Sequence, residues 1–227
     1  MKKLIGLALV MITASCQGSS TTSKSVADAV ANSDIKNKIT DNKGDLKMDK
    51  NTETAIFAGG CFWCTEAFFT DLKGVEKVVS GYIGGKTVNP TYKEICSGMT
   101  GHAEAIQITF NPEEVSYDDL LEIFFETHDP TTINRQGADV GTQYRSEIFY
   151  TTTEQKAKAE NFIKLLTDQD IFGKKIVTKI TEAPKFYPAE EYHQDYYAQN
   201  ANQPYCQMVI APKMEKLQKN YKSKLKQ

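Results

Sequence analysis

Basic residues hold no majority in this 227-residue chain, tryptophan occurs once, histidine three times, and no apolar run is long enough to cross a bilayer. Each shortage excludes something. With 27 Lys and Arg against 29 Asp and Glu there is no basic footprint for nucleic acid. The N-terminal apolar stretch, residues 4 to 12, falls well short of the roughly 20 residues a spanning helix needs. Zinc commonly takes about four ligands, often as two C-x-x-C pairs. Here one such pair occurs, Cys61 with Cys64. From residue 52 onward there is no repeat and no internal linker, so one folded domain is expected over residues 52–213, followed by a basic tail over 214–227. Its 40% apolar and 10% aromatic content suffices for one core.

The first residues are set apart. Met1-Lys2-Lys3 is a basic start, residues 4 to 12 are uncharged and apolar, and Thr13-Ala14-Ser15 supplies small residues before Cys16. This is an export signal over residues 1–15. Thr13-Ala14-Ser15-Cys16 also resembles a bacterial lipobox with Thr in place of the usual Leu, which makes Cys16 the lipidated mature N-terminus. The expected location is the bacterial cell envelope, lipid-anchored to a membrane and facing the periplasm or the surface. Residues 16–51 are rich in Ser, Thr, Lys, Asp and Asn and cannot repay the entropy of ordering, so a disordered tether is expected. Loss of Lys2 and Lys3 leaves 25 basic against 29 acidic residues, a mature charge of −4. Export permits disulfides among the four other cysteines.

The most informative segment is Gly59-Gly60-Cys61-Phe62-Trp63-Cys64-Thr65-Glu66. The apolar run Ala55-Ile56-Phe57-Ala58 precedes it, and Ala67-Phe68-Phe69-Thr70-Asp71-Leu72 follows with apolar residues suited to one side of a helix. Cys61 is thus placed at a helix start. Unpaired amides and the positive end of the dipole favour an anion there, so a thiol of ordinary pKa about 8.5 is expected to shift toward thiolate. Two other readings fit the spacing: a metal site joined by Cys96 and His102, and a structural Cys61–Cys64 or Cys96–Cys206 disulfide. A bridge between residues three apart constrains the unfolded chain little, which favours redox chemistry.

Residues 75 to 82 have strand composition and lead to the turn Gly84-Gly85. In residues 104 to 110, Ile106, Ile108 and Phe110 alternate with Gln107 and Thr109, as in a half-buried strand. Ser116, with Asp119 three residues on, opens a helix striped by Leu120, Leu121, Phe124 and Phe125 that stops at Asp129-Pro130. Residues 144–150 and 175–180 read as strands, 153–168 and 188–200 as helices. Without regular βαβ alternation, this predicts an α+β fold, a mixed sheet with flanking helices.

Strand parity puts Glu104 on the face of Ile106, Ile108 and Phe110. A carboxyl beside an apolar row is expected to keep its proton to unusually high pH and to act as an acid. Tyr92, Asp139 and Tyr144 fall in turns or strand ends, where functional polar groups commonly sit. His102 orders the turn before Glu104, His128 caps a helix end with favourable charge, and His193 is a hydrogen-bonded structural residue. Cys96 reads as packed.

Gly60-Cys61-Phe62-Trp63, Cys96-Ser97-Gly98 with Thr100-Gly101-His102-Ala103-Glu104, Asp139-Val140-Gly141-Thr142-Gln143-Tyr144-Arg145-Ser146, and Tyr192-His193-Gln194-Asp195-Tyr196 occur in this order. Together they resemble peptide methionine sulfoxide reductase of class A, over roughly residues 54 to 213. The resemblance implies a ferredoxin-like plait at the core and reduction of the S epimer of methionine sulfoxide, free or in proteins. It implies Cys61 as nucleophile, Phe62 and Trp63 as an apolar cradle for the substrate methyl, and Glu104, Tyr92 and Tyr144 as groups that bond and protonate the sulfoxide oxygen, with Asp139 in support. Many members carry Gly at the position of Cys64. With C-F-W-C, Cys64 becomes the resolving cysteine, and Cys206, in the tail, the second candidate. No bound cofactor or metal is implied, only an external thioredoxin-like reductant, and a monomer is expected. Competing functions are a thioredoxin-type oxidoreductase and a lipid-anchored zinc-binding or substrate-binding module.

Overall fold

The computed structural model describes residues 24–31, 33 and 52–226. The signal segment, Cys16 and most of the expected tether lie outside the described residues. Within that tether the structure differs from expectation: α1 (Val26–Ala31) is a helix that buries Val26, Ala29 and Val30. Ser25 and Asp28 start it by exchanging backbone-to-side-chain hydrogen bonds at 3.1 and 3.2 Å. Three small apolar residues on one side are enough to dock it.

The main body begins with β1 (Glu53–Gly59), α2 (Phe62–Thr70), β2 (Val75–Ile83), α3 (Tyr92–Cys96), β3 (Ala103–Phe110) and α4 (Tyr117–Thr127). A small ribbon, β4 (Arg135–Gln136) with β5 (Asp139–Val140), leads to β6 (Ser146–Tyr150), α5 (Thr153–Asp168), β7 (Lys179–Glu182) and β8 (Tyr187–Pro188). The chain closes with α6 (Tyr196–Asn200) and α7 (Ala211–Tyr221). Six strands form one mixed sheet in the order β7-β6-β1-β3-β2-β8, in which only β6 and β7 run parallel. The α+β architecture is therefore as expected.

Strand parity assigns the two faces. Ala55 and Phe57 of β1 and Ile106, Ile108 and Phe110 of β3 join the main core with α2, α4 and α5. Ile56, Ala58, Ala103 and Ala105 form a smaller core on the other face, covered in part by Ala183 and Phe186. The α4 signals hold as read: Ser116 Oγ accepts from Asp119 N–H, Asp119 Oδ2 accepts from Ser116 N–H, and the striped residues are buried. Helix α1 rests on α4 and α5.

Three expectations need correction. The strand expected at 175–180 forms at Lys179–Glu182, because Val177 N–H is already bonded to Pro130 O in the loop after α4. The helix expected over 188–200 is broken by Asp195, whose φ of 50° ends any helical run, leaving a single 3-10 turn at Glu191–His193 before α6. The folded unit also extends past residue 213. Met214, Leu217 and Tyr221 of α7 are buried, as is Leu225, which bridges Leu72. Basic composition hid an apolar helix side in the supposed tail.

Candidate active site

The β1–α2 turn needs glycine. Gly60 has φ +99°, and a Cβ there would lie 2.6 Å from Gln136 Cγ. This turn sets Cys61 at the N-cap of α2, where its carbonyl accepts from Cys64 and Thr65 while its own side chain makes no capping bond. The orphan amide of Phe62 is taken instead by Glu104, whose Oε2 accepts it at 3.1 Å. One helix start therefore brings the thiol and the carboxyl together.

Glu104 is 1% exposed. Burial raises its pKa, the Phe62 N–H partly offsets this, the charge of Asp139 adds to it, and the outcome is about 8. The expectation for Cys61 is overturned. Burial pushes its thiol up, its hydrogen bond to Cys64 and the charge of Glu104 push further, and the opposing hydrogen bond from Tyr205 is the smallest of these effects. Cys64 moves down, first through its hydrogen bond with Cys61, opposed by burial and aided by the charge of Lys213. Of the pair, Cys64 ionises more readily. Because the Glu104 charge opposes a Cys61 thiolate, Cys61 ionises best when Glu104 holds its proton.

Around these groups stand aromatic rings. Phe62 is buried and its ring lies 6.5 Å from that of Tyr92. Trp63 stacks on Tyr196 at 3.7 Å and 7°, and its indole N–H donates to His193 Nδ1 at 3.1 Å. Burial pushes up the pKa values of Tyr92 and Tyr144, and the charge of Glu104 adds to both, so both phenols remain donors at neutral pH. Asp139 accepts from Tyr205 at 3.0 Å, and the Tyr205 oxygen lies 3.8 Å from Cys64 Sγ. A cavity of about 190 Å3 is lined by Cys61, Cys64, Asp139, Tyr205, Val209 and Lys213. A larger groove of about 660 Å3 along β2 contains no thiol. The arrangement joins a thiol pair, a protonated carboxyl and two phenol donors beside an apolar cradle.

A family model described as "Peptide methionine sulfoxide reductase" matches residues 53–225. The chain belongs to the peptide methionine sulfoxide reductase family. It is 59% identical over 174 residues to "Peptide methionine sulfoxide reductase MsrA" of Deinococcus radiodurans, covering 77% of this chain and 84% of that protein. The enzyme of the same name from Chromobacterium violaceum is 54% identical over 169 residues, 74% of this chain and 96% of that one. Among solved structures, Mxr1 of Saccharomyces cerevisiae in reduced form is 34% identical with a TM-score of 0.61, covering 70% of this chain and 92% of that one. Methionine sulfoxide reductase A of Corynebacterium diphtheriae is also 34% identical, with a TM-score of 0.59 over 69% of this chain and 79% of that one. The chain is a class A reductase, a peptide-methionine (S)-S-oxide reductase that reduces methionine sulfoxide.

In this reductase Cys61, Phe62, Trp63, Cys64, Tyr92, Glu104, Asp139 and Tyr144 are brought to one region, and His102 orders its turn by accepting from Gly85 N–H at 3.0 Å. Cys61, Cys64, Cys96 and Cys206 are all free thiols. Among the described residues no group of three His, Cys, Asp or Glu side chains is arranged to hold a metal ion. Cys206 does not lie in a loose tail: it is fully buried at the start of a π-helical turn, Cys206–Ile210. Cys96 is exposed rather than packed. His128 is not a charged cap. Burial lowers its pKa to about 4 against a backbone bond that raises it, and the ring sits neutral between Phe124 O and Ser146 Oγ. His193 is the hydrogen-bonded residue expected, accepting from the Trp63 indole, whereas the sequence reading does not reach Tyr82, Tyr196, Tyr205 and Glu190 as parts of the site. Their partners lie about a hundred residues away in the chain, beyond any local pattern, although Tyr82 could have been found by pairing its strand with that of Glu104.

Proposed function

We propose that this reductase acts on the S epimer of methionine sulfoxide, free or in proteins, through Cys61, and that a thioredoxin-like protein returns it to the dithiol. The Cys61 thiolate attacks the sulfoxide sulfur while Glu104, with Tyr92 and Tyr144, hydrogen-bonds and protonates the oxygen, which leaves poorly otherwise. Phe62 and Trp63 hold the methyl group, and Asp139 holds Tyr205. Oxygen passes to Cys61 as a sulfenic acid and methionine departs. Cys64 then attacks the Cys61 sulfur, an S–S bond forms and water leaves. The external dithiol supplies the two electrons that reopen it. The observation that carries this reading is the buried, proton-retaining Glu104 hydrogen-bonded to the first amide of the helix that begins beside Cys61.

Cys64 is favoured as resolver because it sits one helical turn from Cys61, lines the same cavity and is the more readily ionised thiol. Cys206, whose pKa is raised by burial and then by the Cys64 charge, is the second thiol within electrostatic reach. The work of the enzyme is repair of oxidised envelope proteins, from a lipid on Cys16. Separate S and R sulfoxides with dithiothreitol test the reading. Consumption of the S epimer alone is expected, lost in Cys61→Ser, and one equivalent without reductant is expected to leave a Cys61–Cys64 disulfide in peptide maps. Turnover by Cys61→Ser removes the nucleophile assignment. A Cys61–Cys206 bridge removes Cys64.

A further inference from the structure

Glu190 precedes the turn Glu191–His193 and is absent from the reacting groups, yet its carboxylate joins two walls of the site. Oε1 accepts the backbone N–H of Tyr92 at 2.8 Å, and Oε2 accepts the hydroxyl of Tyr82 at 2.8 Å. Tyr92 is the first residue of α3, a helix of five residues. So short a helix has little stability of its own, and the aim of the Tyr92 ring depends on what grips its backbone. Tyr82 is a firm reference. It is fully buried, pairs directly with Glu104 in the β2–β3 register, and its ring lies 5.8 Å from Phe62. We propose that Glu190 is a positioning residue for sulfoxide reduction, holding the Tyr92 backbone at a set place relative to the strand pair that carries Glu104.

The chemistry suits a carboxylate. Two donors converge on it, and its two oxygens accept both, whereas an amide offers one acceptor oxygen and turns an NH2 toward the other donor. The proposal rests on the reading that Tyr92 hydrogen-bonds the sulfoxide oxygen. A shift of about 1 Å in such a group costs up to about 10²-fold in rate.

A double-mutant cycle separates the two. Single-turnover methionine release, without reductant, is measured in the wild type, Tyr92→Phe, Glu190→Gln and the double variant. Glu190→Gln is expected to slow release roughly tenfold in the wild-type background and less than about twofold once the Tyr92 hydroxyl is gone. An equal cost in both backgrounds, or no cost in the wild type, overturns the positioning role alone. Wild-type release by Tyr92→Phe sinks the reading of Tyr92, and the proposal with it. If Glu190→Gln lacks a folded near-ultraviolet spectrum, Glu190→Asp, which keeps the charge and loses one methylene of reach, runs the same cycle with the same outcomes.

Discussion

At the scale of the residue, Glu104 shows how function is set against stability. Its folded pKa near 8 lies above its ordinary value of 4.5, so the folded protein binds the extra proton across that interval. Its stabilising contribution is complete below about pH 4.5 and lost as pH rises through about 8. Glu104→Gln removes the ionisation while its amide oxygen can still accept Phe62 N–H. The variant is expected to gain stability at pH 9 relative to pH 5, on the order of a few kcal/mol. Single-turnover reduction is expected to fall by about 10² to 10⁴, and its decline above about pH 8 to disappear. Thermal melts at both pH values and rapid-quench kinetics check this; the same stability change at both, with unchanged release, excludes the acid role. Cys61 carries the opposite lesson: a helix start alone does not make a thiolate, because burial beside a carboxyl works against it.

Among elements, those governed by their own sequence were legible and those governed by partners were not. The boundaries of α4 and α5 follow from caps and stripes within a dozen residues. The strand near 179 shifted because its first half found Pro130 instead of the sheet. The C-terminal helix was unread because Met214, Leu217 and Tyr221 are spread among lysines, although their spacing places them on one side. Each buried side chain of this kind contributes roughly 1.5–3 kcal/mol, and these three together with Leu225 are comparable to the roughly 5–15 kcal/mol net stability of a whole domain. A chain ending at residue 213 is therefore expected to lose its cooperative thermal transition. Circular dichroism against the full chain measures this, and an unshifted melt would show α7 to be dispensable.

For the whole molecule, the proposal of a lipid on Cys16 concerns where the catalytic body is held. Eight residues, at most roughly 3.5 Å each, lie between Cys16 and Ser25, the residue that starts α1. Because α1 rests on α4 and α5, a lipidated Cys16 would keep that side close to the bilayer. Intact mass of the membrane-fraction protein is expected to show a diacylated or triacylated N-terminal cysteine. A soluble product with another N-terminus would refute the anchor.

Local order in the sequence was enough for the α+β class, the turn that places Cys61, the parity that turns Glu104 inward and the motif set of the family. These depend on neighbours a few residues apart, or on the period of a strand. The tertiary structure alone decided which thiol of the pair ionises first, that His128 stays neutral and that Cys206 is buried. It also brought Glu190 and Tyr82 to the site. Burial and charge at each of these positions come from segments up to about 140 residues away in the chain, such as Tyr205 beside Cys64, and only folding brings them together.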